Sequence, residues 1–316
     1  MMNKKMFAVF ALCAGLVGSV FARDLKVLSI GNSYSVSVGA TLASMVQSFP
    51  EHGLELTSAY LPGCPLNSHV NNIKTAQKDP KAGQYMVRFW RVAAGKSVPR
   101  QDFSSNLIDL LKKDRYDVVT IQQASAKSWN WETYEPYAGE LIAFIRQHQP
   151  DSEIVIQQTW SYRVDAPLLK KFGFDQNEMY ERLSDAYRKL AGKYKFRVIP
   201  VGAAVQLFRK YTPVHYQPTA KTDFEYPDLP SWEGDAVGIA YWYDNNKKMK
   251  NDPYHLNEKG MYIQACLWFS LLYGEPVDKI TWVREGISQD HAILCRRCAK
   301  EALESYPQVA GKNEKK

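Results

Sequence analysis

Short apolar runs rich in β-branched residues recur along the chain, and longer stretches with helical spacing separate them. LKVLSIG from Leu25, LELTSAYLP from Leu54, YDVVTIQQ from Tyr116, SEIVIQQTW from Ser152 and FRVIPVGAAV from Phe196 read as strands. LKVLSIG, YDVVTIQQ and FRVIPVGAAV are apolar almost throughout, the pattern of strands buried on both faces. Residues 38–49, 103–113, 136–149 and 176–194 read as amphipathic helices. Strand and helix alternating in this way predict an α/β fold, a three-layer α/β/α sandwich around a parallel sheet.

Two stretches break the rhythm. Residues 211–251 hold Tyr211, His215, Tyr216, Phe224, Tyr226, Trp232, Tyr241, Trp242 and Tyr243 among prolines and glycines, without periodicity. A long aromatic insertion of this kind is either functional or a satellite packing cluster. Beyond the sheet domain, 23–280, residues 281–316 read as a helical appendage and a polar tail. Ahead of it, residues 1–22 place Lys4 and Lys5 before an apolar run and end in Val20-Phe21-Ala22, as a cleaved signal peptide does. The run is shorter than the roughly 20 residues that span a bilayer, and no later run is long enough, so an exported, periplasmic or secreted protein without stable membrane insertion is expected.

At 316 residues, 45% hydrophobic and 23% charged, the composition is globular. A domain of this size buries on the order of three quarters of its unfolded surface. Neither disulfides nor a metal is needed to hold it together, and no cofactor is expected. The formal charge of +7 is spread along the chain, apart from Lys247, Lys248, Lys250 and the GKNEKK tail, and points to no nucleic-acid partner. Past the leader, Cys64, Cys266, Cys295 and Cys298 remain; Cys295-x-x-Cys298 reads as two thiols on a terminal helix or one local disulfide.

In doubly wound α/β folds the ligand sits beyond the carboxyl ends of the strands, so the strand-to-helix loops hold the candidate chemistry. The first loop is Gly31-Asn32-Ser33-Tyr34-Ser35, where Ser33 stands at a helix entrance as either a cap or an exposed hydroxyl. Late in the chain comes Asp252-Pro253-Tyr254-His255, ahead of an apolar helix over 261–273. A serine hydroxyl needs a base to take its proton, and the base needs a third group to hold its tautomer. Singly, Asp252 is a turn residue and His255 a packed ring; with Ser33 at the other end of one domain they form a candidate triad. Acyl transfer also places negative charge on the carbonyl oxygen, so donors must face it. Candidates are the N–H groups of Ser33 and Gly63 and the amides of Gln122 and Gln123, although those glutamines could equally bond neighbouring loops.

These motifs resemble the GDSL/SGNH hydrolase superfamily, serine esterases and lipases on a flavodoxin-like sandwich. IGNSYS is similar to the first block, with Asn32 in place of aspartate; Gly63 stands where the second block has its oxyanion glycine; Asp252 and His255 match the closing Asp-x-x-His. The resemblance runs to about Gly274 and implies Ser33 as nucleophile, His255 as base, Asp252 as orienter, and Ser33, Gly63 and Gln123 as the oxyanion hole. IGNSYS, PGCPLNSHVNN, VVTIQQAS, QQTWSY and DPYHLNEKG together resemble a bacterial branch catalogued as a domain of unknown function. The third block departs: Gly-x-Asn-Asp is replaced by Gln-Gln-Ala-Ser, so either Gln123 supplies the missing amide or the hole has fewer donors. A lost donor costs about 3 to 4 kcal/mol of transition-state stabilisation.

The leading expectation is an exported serine esterase acting on a small-molecule or polysaccharide ester, with acetyl groups on a carbohydrate preferred because aromatic-rich clefts suit sugar faces. Gln122, His69, Asn72 and Trp160 are the candidate substrate contacts. The alternative is a weak or inactive carbohydrate-binding protein on the same fold. A long-chain lipase is a third reading. No G-x-G-x-x-G or Walker-type loop follows a strand, which argues against hydride or phosphoryl transfer.

Overall fold

The computed structural model describes residues 22–219, 224–231 and 233–306. The expected leader, Ala22 excepted, lies outside them, as do Trp232 and the tail from 307. The strands are β1 (Arg23–Gly31), β2 (His52–Tyr60), β3 (Tyr85–Ala93), β4 (Lys96–Ser97), β5 (Gln101–Ser105), β6 (Val118–Ile121), β7 (Glu153–Gln157), β8 (Val198–Ile199), β9 (Val237–Tyr243) and β10 (Lys248–Leu256). The helices are α1 (Ser33–Val36), α2 (Gly39–Gln47), α3 (Leu66–Lys78), α4 (Leu107–Lys113), α5 (Tyr137–His148), α6 (Pro167–Phe172), α7 (Gln176–Tyr194), α8 (Val201–Tyr211), α9 (Glu258–Tyr273) and α10 (Gln289–Ser305).

Five strands run parallel in the order β2-β1-β6-β7-β8, and β3, with β4 and β5 paired to it, extends the sheet antiparallel beyond β2. This is the expected α/β/α sandwich, with the flavodoxin-like order that reverses direction beside β1. Successive excursions leave β1 first toward β2 and then, after the antiparallel strands, toward β6. A crevice therefore opens past the carboxyl ends of β1 and β6.

Helices α3, α4 and α5 pack together, as do α2, α8, α9 and α10. Helix α9 is apolar nearly all round, and it is buried from Lys259 to Tyr273 except at Met261, as a helix of that pattern must be. Asn257 caps it through the N–H groups of Lys259 and Gly260.

Three sequence expectations change. FRVIPVGAAV is not one strand: β8 stops at Ile199, Pro200 cannot continue a ladder, and Val201 opens α8. The helix expected over 103–113 starts only at Leu107, capped by Asn106, because Phe103 belongs to β5. The aromatic stretch holds an antiparallel hairpin, β9–β10, whose second strand carries on to Asp252 and His255.

All four cysteines of the described residues are buried free thiols. Cys295 and Cys298 lie on the face of α10 that packs on α8 and α9, so the two-thiol alternative holds. Burial pushes the thiols of Cys64, Cys266 and Cys298 up to about 12. A thiol-exchange reagent at pH 8 should therefore find almost none of these cysteines in the native protein and all four after denaturation.

Candidate active site

Strand β1 delivers the chain to the crevice, and Asn32 fixes the turn there. Its Oδ1 caps α1 by accepting from Tyr34 N–H at 3.0 Å, and its Nδ2 donates to the Cys64 carbonyl at 3.2 Å. The second bond needs an amide, since a carboxylate could accept from Tyr34 N–H but not donate to a carbonyl. The second bond draws the turn after β2 toward the start of α1. The N–H groups of Ser33 and of Gly63 donate to no group among the described residues. Gly63 has φ +59° and open space where a side chain would stand, which suits a backbone donor facing a ligand.

From the other end of the chain, β10 brings Asp252 and His255. The His255 Nε2 lies 2.8 Å from Ser33 Oγ, and its Nδ1 lies 2.8 Å from Asp252 Oδ2. Asp252 Oδ1 accepts from the N–H groups of Tyr254 and His255, at 2.9 and 3.3 Å. Burial pushes the Asp252 carboxyl up, but the His255 hydrogen bond and charge and the two backbone donors outweigh it, leaving the group below its ordinary value and ionised near neutral pH. Asp252 is buried, whereas the His255 side chain is 38% exposed, so the imidazole is accessible from solvent.

The loop carrying the imidazole is held by three contacts that sequence reasoning missed. The Tyr254 carbonyl accepts both Tyr34 Oη, at 2.5 Å, and Trp160 Nε1, at 2.9 Å. Those two rings stack at 4.0 Å, and Tyr34 also meets the His255 ring edge-on at 5.5 Å. Arg163 N–H donates to the Pro253 carbonyl at 3.0 Å. No periodicity or spacing signals contacts between residues 34, 160 and 254.

Four candidate contacts move. Trp160 is fully buried in that stack and is not a substrate platform. His69 is also fully buried, its Nδ1 2.8 Å from Tyr85 Oη, because α3 turns it under the Gly63 loop; burial lowers it to about 4, which keeps it neutral. Gln123 is no oxyanion donor: its Nε2 donates to the Thr133 carbonyl and Oγ1, and its Oε1 accepts from Leu66 and Ala124 N–H. Gln122 points inward instead, its Nε2 2.8 Å from Asn32 Oδ1 and its Oε1 2.5 Å from Gln157 Nε2. Asn72 is half-buried on α3, beside Tyr85. Among the described residues no group of three or more His, Cys, Asp or Glu side chains is placed to hold a metal.

Ser33, His255 and Asp252 can thus pass a proton from hydroxyl to imidazole beside two free backbone donors. Replacing both Tyr34 and Trp160 by phenylalanine keeps much of the ring packing but leaves the Tyr254 carbonyl without side-chain donors. A buried acceptor left unpaired costs about 1–3 kcal/mol. The double variant should react with a fluorophosphonate roughly tenfold or more slowly at Ser33, while either single variant loses less.

A family described as a domain of unknown function, DUF4886, matches residues 26–217. That stretch contains Ser33 and Gly63 but not Asp252 or His255. A DUF4886 family protein from Bacteroides uniformis is similar over 92% of this chain and 99% of its own, at 24% identity and a TM-score of 0.70, so the two share a fold. Looser likenesses include an acetylxylan esterase from Geobacillus stearothermophilus (14% identity, 84% of this chain and 99% of that one, TM-score 0.43). Another is an alpha/beta hydrolase enzyme from the metagenome of Lake Arreo (14% identity, 81% and 98%, TM-score 0.46). No curated protein matches the chain. By the extent of the family match, the chain belongs to the DUF4886 family.

Proposed function

We propose that this protein is a serine esterase that removes short acyl groups, acetyl first among them, from a carbohydrate outside the cytoplasm. The observation that carries the reading is the unbroken hydrogen-bonded line from Ser33 Oγ through His255 to Asp252. In the reaction Ser33 Oγ attacks the ester carbonyl carbon as its proton passes to His255 Nε2. The oxyanion faces the N–H groups of Ser33 and Gly63. The intermediate then collapses, the C–O bond to the sugar breaks, and Nε2 returns the proton to the leaving oxygen. Water attacks the acyl-serine with Nε2 again taking a proton; the acid leaves and Ser33 recovers its hydroxyl. Asp252 stays ionised throughout and holds the imidazole in one tautomer.

With Gln123 committed elsewhere, the hole relies on backbone donors. An additional side-chain donor would contribute about 3 to 4 kcal/mol, so a slow enzyme is expected, not a fast one. Export rests on the leader motif over 1–22 and is tested by finding the mature protein in a periplasmic or culture fraction.

Hydrolysis of nitrophenyl acetate should fall by about 10³-fold or more in Ser33→Ala and by a comparable factor in Asp252→Asn. Rates should decline from acetyl toward long acyl chains. Equal background rates for wild type and Ser33→Ala would leave a binding protein as the better reading, and a preference rising with acyl length would favour a lipase.

A further inference from the structure

The β9–β10 hairpin projects from the site with one face covered and one face open. Paired residues in an antiparallel ladder share a face. Trp242 and Met249 pair on one side, where Trp242 Nε1 donates to the Asp228 carbonyl at 2.9 Å and Tyr226 meets its ring edge-on. On the other side Tyr241 pairs with Lys250 and Tyr243 with Lys248. Tyr241 and Tyr243 are 41% and 46% exposed, their ring centroids 6.5 Å apart, and Lys250 Nζ sits 5.8 Å from the Tyr241 centroid. Lys248 pairs with Asp244, but Lys247 and Lys250 form no ion pair among the described residues.

The arm is anchored, not loose, at its base. Gly238, at φ +115°, packs against the guanidinium of Arg163, which in turn bonds Asp165 and, at 2.5 Å, Asn251 Oδ1. Beyond Asn251 the same strand reaches Asp252 and His255. At about 3.4 Å per residue, Lys250 lies within roughly 17 Å of His255, so one extended polymer can span both.

We propose that this open face is a binding subsite for a carboxylate-bearing polysaccharide, the chain that carries the ester. Two exposed tyrosine rings present flat apolar surface to the C–H faces of sugars, and the Lys250 ammonium beside Tyr241, with Lys247 in the adjoining turn, suits sugar carboxylates. Neutral glycans would use the rings alone. The subsite deepens the esterase reading, but the binding it predicts does not depend on turnover.

The test uses the full chain with Ser33→Ala, so that binding is read without hydrolysis, and with Tyr241→Ala plus Tyr243→Ala, or Lys247→Ala plus Lys250→Ala, added. Retardation in native gels containing polygalacturonate should weaken about tenfold in apparent affinity in the tyrosine variant. The lysine variant should lose its preference for polygalacturonate over neutral galactan, and salt should do the same. On the active background, kcat/KM for acetylated polygalacturonate should fall about tenfold in the tyrosine variant, with nitrophenyl acetate hydrolysis unchanged. Arm variants that bind and turn over the polymer like their parents would overturn the proposal, as would equal retention on both glycans or binding confined to phosphatidylglycerol vesicles. Retardation that depends on the arm in a protein without Ser33-dependent hydrolysis would uphold the subsite and sink the esterase; hydrolysis indifferent to the arm on both substrates would do the reverse.

Discussion

A line of buried side-chain amides ties the two halves of the molecule together. Asn32 Oδ1 accepts from Gln122, Gln122 accepts from Gln157, and Gln157 Oε1 accepts from Gln264 Nε2, at 3.0 Å, and Trp268 Nε1, at 2.8 Å. Gln157 and Gln264 also donate to the Tyr34 carbonyl. All four amides are at most 2% exposed. An amide has both a donor and an acceptor end, so it can take a hydrogen bond from one neighbour and give one to the next without burying a charge. The line crosses from the loop after β1 through the ends of β6 and β7 to α9. It sets where Ser33 stands.

The imidazole is held by a separate device. Tyr34 and Trp160 share one carbonyl on its loop, and Tyr34 is itself next to Ser33 in the chain. The same short segment therefore fixes the Ser33 hydroxyl through Asn32 and the His255 imidazole through Tyr34. This coupling accounts for the burial of Trp160 and for the inward turn of Gln122, both of which sequence reasoning had aimed at the ligand. The Gln-Gln-Ala-Ser stretch after β6 also acquires a physical role here: Gln122 supports the Ser33 turn through Asn32, and Gln123 staples the loop after β6 to α3 and to Thr133.

Periodicity carried most of the sheet and several helices. The helix over 176–194 starts and stops at its expected ends because Asp175 caps one end and Lys195 takes a left-handed conformation at the other. The strands β3 to β5 were missed: β4 and β5 are short and mostly exposed and carry little signal, whereas the nine residues of β3 do alternate but are interrupted by Arg88 and Arg91. The hairpin was hidden for a different reason: Tyr241, Trp242 and Tyr243 read as an aromatic cluster, yet successive ones face opposite sides of a ribbon. At the site, residue types and spacing brought out Ser33, Asp252 and His255, which the fold brings into one hydrogen-bonded line. Gln123, His69 and Trp160 were misplaced because exposure is a property of the packed chain, and nothing local encodes it.

The Ser33 hydroxyl and the His255 imidazole it meets are separated by 222 positions along the chain. A nascent or clipped molecule ending near residue 217 would carry the serine turn without the imidazole that meets it. The hydrogen-bonded line from Ser33 to Asp252 is thus completed last, when the final hairpin and α9 dock, and an incomplete copy lacks it.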